Sequence, residues 1–136
     1  MELTLTAVME TGEPRTAAVP YPTNHPLSIP RGAEVVIRVV VLKPNGAPAN
    51  LLDGTGVLTV KAHSEANSAQ VGLRVNAEVD SGSRCLLLFT LTGAQTAGLD
   101  ARRYVYDVWF TDADGAPWCV VPLSEFTVAP AAFRAP

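Results

Sequence analysis

From Val71 to Val79 the side chains alternate without a break. Val71, Leu73, Val75, Ala77 and Val79 fall on one side of an extended chain, and Gly72, Arg74, Asn76 and Glu78 on the other. A period of two is strand geometry with one dry and one wet face, and it excludes a helix, whose apolar positions recur every 3.6 residues. The same period returns along the chain. Leu3 to Val8 alternates apolar residues with Thr, and Val57 to His63 sets Leu58, Val60 and Ala62 against Thr59, Lys61 and His63. Cys85, Leu87, Phe89 and Leu91 form another inward set. Ala33 to Leu42 differs: Val35, Ile37, Val39 and Val41 make one face, but Val36, Arg38, Val40 and Leu42 make the other. That β-branched density predicts a central strand buried on one face and partly covered on the other.

The last hairpin carries most of the aromatic residues. Tyr104, Tyr106, Val108 and Phe110 share one face, Asp112-Ala113-Asp114-Gly115 turns, and Trp118 to Val128 returns. Large rings dominate the area a core can bury, so this inward face is expected to be core. Lys43-Pro44-Asn45-Gly46, Leu51-Leu52-Asp53-Gly54 and Asp80-Ser81-Gly82-Ser83 mark further turns, each with residues that tolerate positive φ. The one helix-like stretch, 92–100, can be capped by Thr92 or Thr96 with Leu99 packing inward, and is too short to stand alone.

Seven or eight short strands with regular turns predict an all-β chain. The expected architecture is a single antiparallel β-sandwich, immunoglobulin-like, spanning residues 1–136 as one domain. A closed barrel or jelly roll is the alternative. Residues 10–32 carry Gly12, Pro14, Pro20, Pro22, Pro26, Pro30 and Gly32, and prolines remove ladder donors, so this reads as an extended arm or long loop. Such a segment either lies across a neighbouring protein or packs on the sandwich through Tyr21 and Leu27. Residues 129–136 read as a flexible Pro/Ala tail with one aromatic, Phe133.

Composition narrows the function classes. A 48% hydrophobic chain of 136 residues can build a core without metal or disulfide staples. Cys85 and Cys119 sit among apolar neighbours and read as buried free thiols, with a disulfide between them as the alternative. Net charge -3 and a pI near 5.3 argue against nucleic acid. No apolar run approaches membrane-spanning length, and Met1-Glu2-Leu3-Thr4 is no signal peptide, so the expectation is synthesis in a cytoplasm and no membrane partner.

Catalytic machinery does not stand out. His25 and His63 lack neighbours at metal-ligand spacing, and no nucleophile elbow, phosphate loop or metalloprotease signature occurs. Asp112-x-Asp114-Gly115 has the spacing of a calcium loop's start but lacks the later acidic ligand, and Asp with Gly is also ordinary turn chemistry. The turn is the expected reading, with no metal and no cofactor. Trp109 falls opposite the inward set and so points away from the core. Either it and Trp118 stack on each other or under the arm, or an exposed indole serves as a sugar platform or protein contact.

A longer pattern runs through residues 28–128. Ile29-Pro30-Arg31-Gly32 precedes the long apolar strand, then come Pro44-Asn45-Gly46-Ala47-Pro48 and Asn50-Leu51. Arg103-Tyr104-Val105-Tyr106-Asp107-Val108 follows with Asp112-x-Asp114-Gly115, and Glu125-Phe126-Thr127-Val128 closes. This order resembles the immunoglobulin-like N-terminal domains of tailed-phage baseplate upper proteins and related small virion proteins. It departs from them at Ala33-Glu34, where the family often has an acidic residue directly after glycine. The resemblance implies a non-enzymatic structural subunit of a bacteriophage or phage-derived virion, homo-oligomeric within an assembly and docked on tail, baseplate or capsid proteins through its sandwich edge, arm and tail. The contact residues expected on this basis are Tyr21, Pro22, His25, Leu27, Trp109, Trp118 and Phe133. The alternative is a carbohydrate-binding sandwich using Trp109 or Trp118.

Val75→Asp puts a carboxylate into the middle of the alternating apolar set and is expected to abolish soluble folding. Soluble yield and thermal melting test this; a soluble, cooperatively melting variant refutes the face assignment.

Overall fold

A computed structural model describes residues 1–12, 14, 25–63, 71–80 and 82–130, with the backbone alone for Val71. Among the described residues nine strands and one short helix follow in order: β1 (Glu2–Val8), β2 (Leu27–Pro30), β3 (Val35–Leu42), β4 (Thr55–Lys61), β5 (Val71–Asn76), β6 (Glu78–Val79), β7 (Leu86–Leu91), α1 (Gly93–Ala97), β8 (Arg103–Thr111) and β9 (Pro117–Ala129). They build a four-stranded sheet, β1-β3-β7-β6, and a five-stranded sheet, β2-β9-β8-β4-β5. The chain is all-β and sandwich-like, as its periodicity predicts. The sheets are mixed rather than wholly antiparallel, because one edge strand of each, β1 and β2, runs parallel to its neighbour, β3 and β9 respectively.

The core lies between the inward faces. Val35, Ile37, Val39 and Val41 of β3 and Leu87, Phe89 and Leu91 of β7 meet Leu58, Val60, Tyr106, Val108, Phe110, Phe126 and Val128 from the other sheet, and every one is fully buried. Each such side chain contributes about 1.5–3 kcal/mol of transfer free energy. Tyr104, also inward, bonds its hydroxyl to the Asp100 carbonyl at 3.2 Å, and the Arg102 guanidinium lies over its ring at 5.0 Å.

Two segments depart from the sequence expectation. Within the Pro-rich 10–32 stretch, residues 27–30 form β2 rather than loop. Pro30 is tolerated because it ends an edge strand, where a missing N–H breaks no ladder. The Val71–Val79 run keeps its alternation, with Val75 buried and Arg74, Asn76 and Glu78 exposed, but it divides between the sheets. β5 pairs with β4 and β6 pairs with β7. Ala77 is the corner, its N–H bonded to the Gly56 carbonyl at 2.8 Å.

The helix is capped by Thr92, whose hydroxyl accepts from the Gln95 N–H while the Gln95 side chain accepts from the Thr92 N–H. Thr96 is interior to the helix. Its buried hydroxyl donates to the Ala33 carbonyl at 2.8 Å, and Arg31 Nε donates to the Ala97 carbonyl at 3.2 Å. Together these tie α1 to the β2–β3 turn, where Gly32 holds φ at 87°.

Gly54 lies against Phe110, and a Cβ there would stand 2.6 Å from the Thr111 carbonyl oxygen. Backbone cannot yield as a side-chain tip can. Gly54→Ala is expected to cost about 1–3 kcal/mol through overpacking. Urea denaturation with an unchanged slope would report it as a lower midpoint.

Candidate functional site

The Asp112 turn is built from its own carboxylate. Oδ1 accepts from the N–H groups of Asp114 and Ala116, both at 2.9 Å, and Oδ2 accepts from the Trp118 indole Nε1 at 3.1 Å. Gly115 supplies φ 87° and returns its N–H to the Asp112 carbonyl. The Trp118 bond first, then the backbone donors, hold the Asp112 carboxyl below its ordinary range. Both its oxygens are therefore committed to the turn and to orienting Trp118.

The two tryptophans do not stack on each other. Strand register sets Trp118 opposite Phe110 and Trp109 opposite Cys119, which places them on different faces. Trp118 packs against the core, partly buried. Trp109 points outward and is 44% exposed, as alternation predicts. Its row across the outer face reads Val57, Trp109, Cys119 over β4, β8 and β9. Leu123 on β9 is also exposed, at 43%. In the neighbouring rows Lys61 Nζ meets Asp107 Oδ2 at 3.3 Å, with side-chain exposures of 23% and 10%. The outer face of the five-stranded sheet thus combines an exposed indole, an exposed leucine and a half-buried ion pair.

Cys85 and Cys119 are both free, which favours the thiol reading over the disulfide. Neither is buried as expected: Cys85, in the turn before β7, is half-buried, and Cys119 is exposed on the outer face of β9 beside Trp109. Partial burial and then the Asp107 carboxylate push its thiol up, against the opposing Lys61, so it lacks the lowered pKa of an activated nucleophile.

The outer face of the four-stranded sheet is mixed, with exposed Glu2, Thr4, Thr6 and Thr90 beside the aliphatic residues of β3. Val36, Val40 and Leu42 of β3 are half-buried there, and register places Val40 opposite Leu86 and Arg38 opposite Leu88 of β7. Arg38 is paired with Glu2 at 3.4 Å.

At the opposite edge, His25 precedes β2 and is fastened by its backbone. Its N–H donates to Ser124 Oγ at 2.8 Å, and its carbonyl accepts from the Tyr106 hydroxyl at 2.6 Å. Ser124 Oγ in turn donates to the Pro122 carbonyl at 2.8 Å. Leu27 is buried core rather than a free contact residue, because it opens β2 against Phe126. Tyr21, Pro22 and Phe133 lie outside the described residues. Sequence reasoning missed Ser124 and Tyr106 as the partners of His25. Their separations of 99 and 81 residues leave no local signal.

No protein-family model matches the sequence, and no curated protein sequence matches it. Among solved structures, the fold is similar to the N-terminal domain of phage TP901-1 ORF48. The TM-score is 0.54 at 13% identity, covering 95% of this chain and 99% of that chain. CopC from Methylosinus trichosporium OB3b aligns over 59% of this chain and 67% of its own at 20% identity, with a TM-score of 0.36 that is too low to inform the fold.

Tyr106→Phe removes the hydroxyl that satisfies the His25 carbonyl while keeping the buried ring. The expected loss is about 1–3 kcal/mol of stability, the cost of leaving a buried acceptor unpaired. Equilibrium urea unfolding measures it, and an unchanged midpoint would contradict the assignment.

Proposed function

We propose that this protein is a non-enzymatic structural subunit of a bacteriophage or phage-derived particle, held in place by contacts of its outer sheet faces with other virion proteins and with copies of itself. The observation that carries this reading is the likeness in fold to a phage protein domain along nearly the full length of both chains. The Trp109 face supports it, since a particle subunit needs surface to bury against neighbours: it offers an exposed aromatic ring, exposed Leu123 and a half-buried ion pair.

The immunoglobulin-like reading draws support from the strand order and from Tyr104. A tyrosine near the start of β8 that bonds a backbone carbonyl four residues upstream is the tyrosine-corner arrangement of such sandwiches. The finer placement at a tail baseplate rests on the pattern across residues 28–128. Location in a virion and the absence of catalysis belong to the same reading.

The test is incorporation. Wild-type protein is expected in purified particles by mass spectrometry. Trp109→Gln removes the ring without adding a charge beside Asp107, and a cooperative melt establishes that the variant stays folded. Its retention on particles should fall roughly 30-fold or more, the loss of a hot-spot residue worth about 2 kcal/mol. Absence of the wild-type protein from particles overturns the virion role. Equal retention of the variant overturns the assigned face, and tryptophan fluorescence that responds to glycans would favour a sugar-binding role instead.

A further inference from the structure

We propose that the joint at His25 is an acid-sensitive latch, which holds edge strand β2 on β9 while the imidazole is neutral and releases it when the ring takes a proton. His25 Nε2 is buried and, among the described residues, has no hydrogen-bond partner. A neutral ring tolerates this at modest cost, since one nitrogen can remain an unused acceptor. An imidazolium is a donor at both nitrogens, so protonation would leave a charged donor buried and unpaired.

Its surroundings offer no counter-charge among the described residues. β8 presents the phenol of Tyr106, which burial keeps neutral throughout the working pH range. β9 presents Ser124, already donating to the Pro122 carbonyl, and β2 continues into apolar Leu27. Glu125 pairs with Arg103 at 3.6 Å, and register sets it opposite Val105 on the outer face. Burial accordingly lowers the His25 pKa from its ordinary 6.5.

The sign follows. Above pH 6.5 the ring is neutral whether the joint is closed or open, and the closed state has its full stability. As pH falls below 6.5 the open form takes up the proton first, and stability drains until the closed form's lowered pKa is passed. The strand being held is short. β2 has four residues, lies at a sheet edge and, among the described residues, pairs with β9 alone, through Leu27 to Pro30 against Phe126 to Ala129, with Leu27 and Ile29 as its hold on the core. His25 immediately precedes that pairing, and both its backbone groups are spent on holding the chain to β8 and β9. Releasing β2 would bare the donors and acceptors along the end of β9, a free sheet edge.

The chain has two histidines, so a proton NMR titration of the full-length protein resolves both rings, and His63→Asn assigns them. His25 is expected to titrate below 6.5, and the amides of residues 27–30 and 126–129 should lose protection over the same pH range. Exchange corrected for its intrinsic pH dependence should show opening that rises about tenfold for each unit by which the closed pKa is depressed. His25→Gln carries a side chain that does not titrate and should flatten the dependence. The latch is overturned if His25 titrates at its ordinary value with those amides unmoved, or if His25→Gln keeps the wild-type pH response. Should that variant fail to fold, the wild-type titration decides alone.

Discussion

The hydroxyl of Tyr106 is the constraint around which this sandwich closes. Its ring sits at the centre of the inward face of β8, fully buried and edge-on to Phe126 at 5.7 Å and 65°. A ring there supplies much of the core's apolar area, but its polar tip must find an acceptor or cost about 1–3 kcal/mol. The acceptor is the His25 carbonyl, and so the chain before β2 must cross the edge of the five-stranded sheet at that height. Once it does, Leu27 and Ile29 fall onto the core and β2 runs parallel along β9. The β9 irregularities contribute to the same fit. Between Tyr106 and Trp109 its register slips twice, which lets both Val120 and Val121 turn inward and leaves Ser124 opposite Tyr106, where it takes the His25 N–H.

What the sequence made legible is whatever depends on near neighbours. Alternation gives the correct face for Tyr104, Tyr106, Val108 and Phe110, and for Val35, Ile37, Val39 and Val41, because a strand's period is a property of the strand itself. The Asp112 and Asn45 turns could be read because each side chain bonds its own backbone two residues on. What stayed hidden is partnership. The alternation of Val71 to Val79 is the same whether the strand stays in one sheet or divides at Ala77, so no period could reveal the switch. β2 was masked by its prolines, which argue against a ladder interior but are permitted at its edge. The parallel pairing of β1 with β3 and the fastening of His25 join residues too far apart for local chemistry to announce.

The candidate contact surface divides the same way. That Trp109 faces outward follows from counting along β8. That it stands beside Cys119 and Val57, next to a desolvated Lys61–Asp107 pair, needs the register of three strands. Trp118 shows the converse. Sequence gives it the same standing as Trp109, yet the Asp112 carboxylate captures its indole N–H and turns the ring toward the core.

The two outer faces differ in composition. On the four-stranded sheet the half-buried Val36, Val40 and Leu42 of β3 are flanked by exposed Glu2, Thr4, Thr6 and Thr90, with Arg38 in the same row. The Trp109 face carries an exposed ring and a half-buried ion pair, and such a pair penalises any contact that desolvates it without offering compensating bonds. Neither face includes His25, which lies at the β2 edge. Loosening of that edge by acid would therefore expose a third surface while leaving the Trp109 row, built from β4, β8 and the first part of β9, in place.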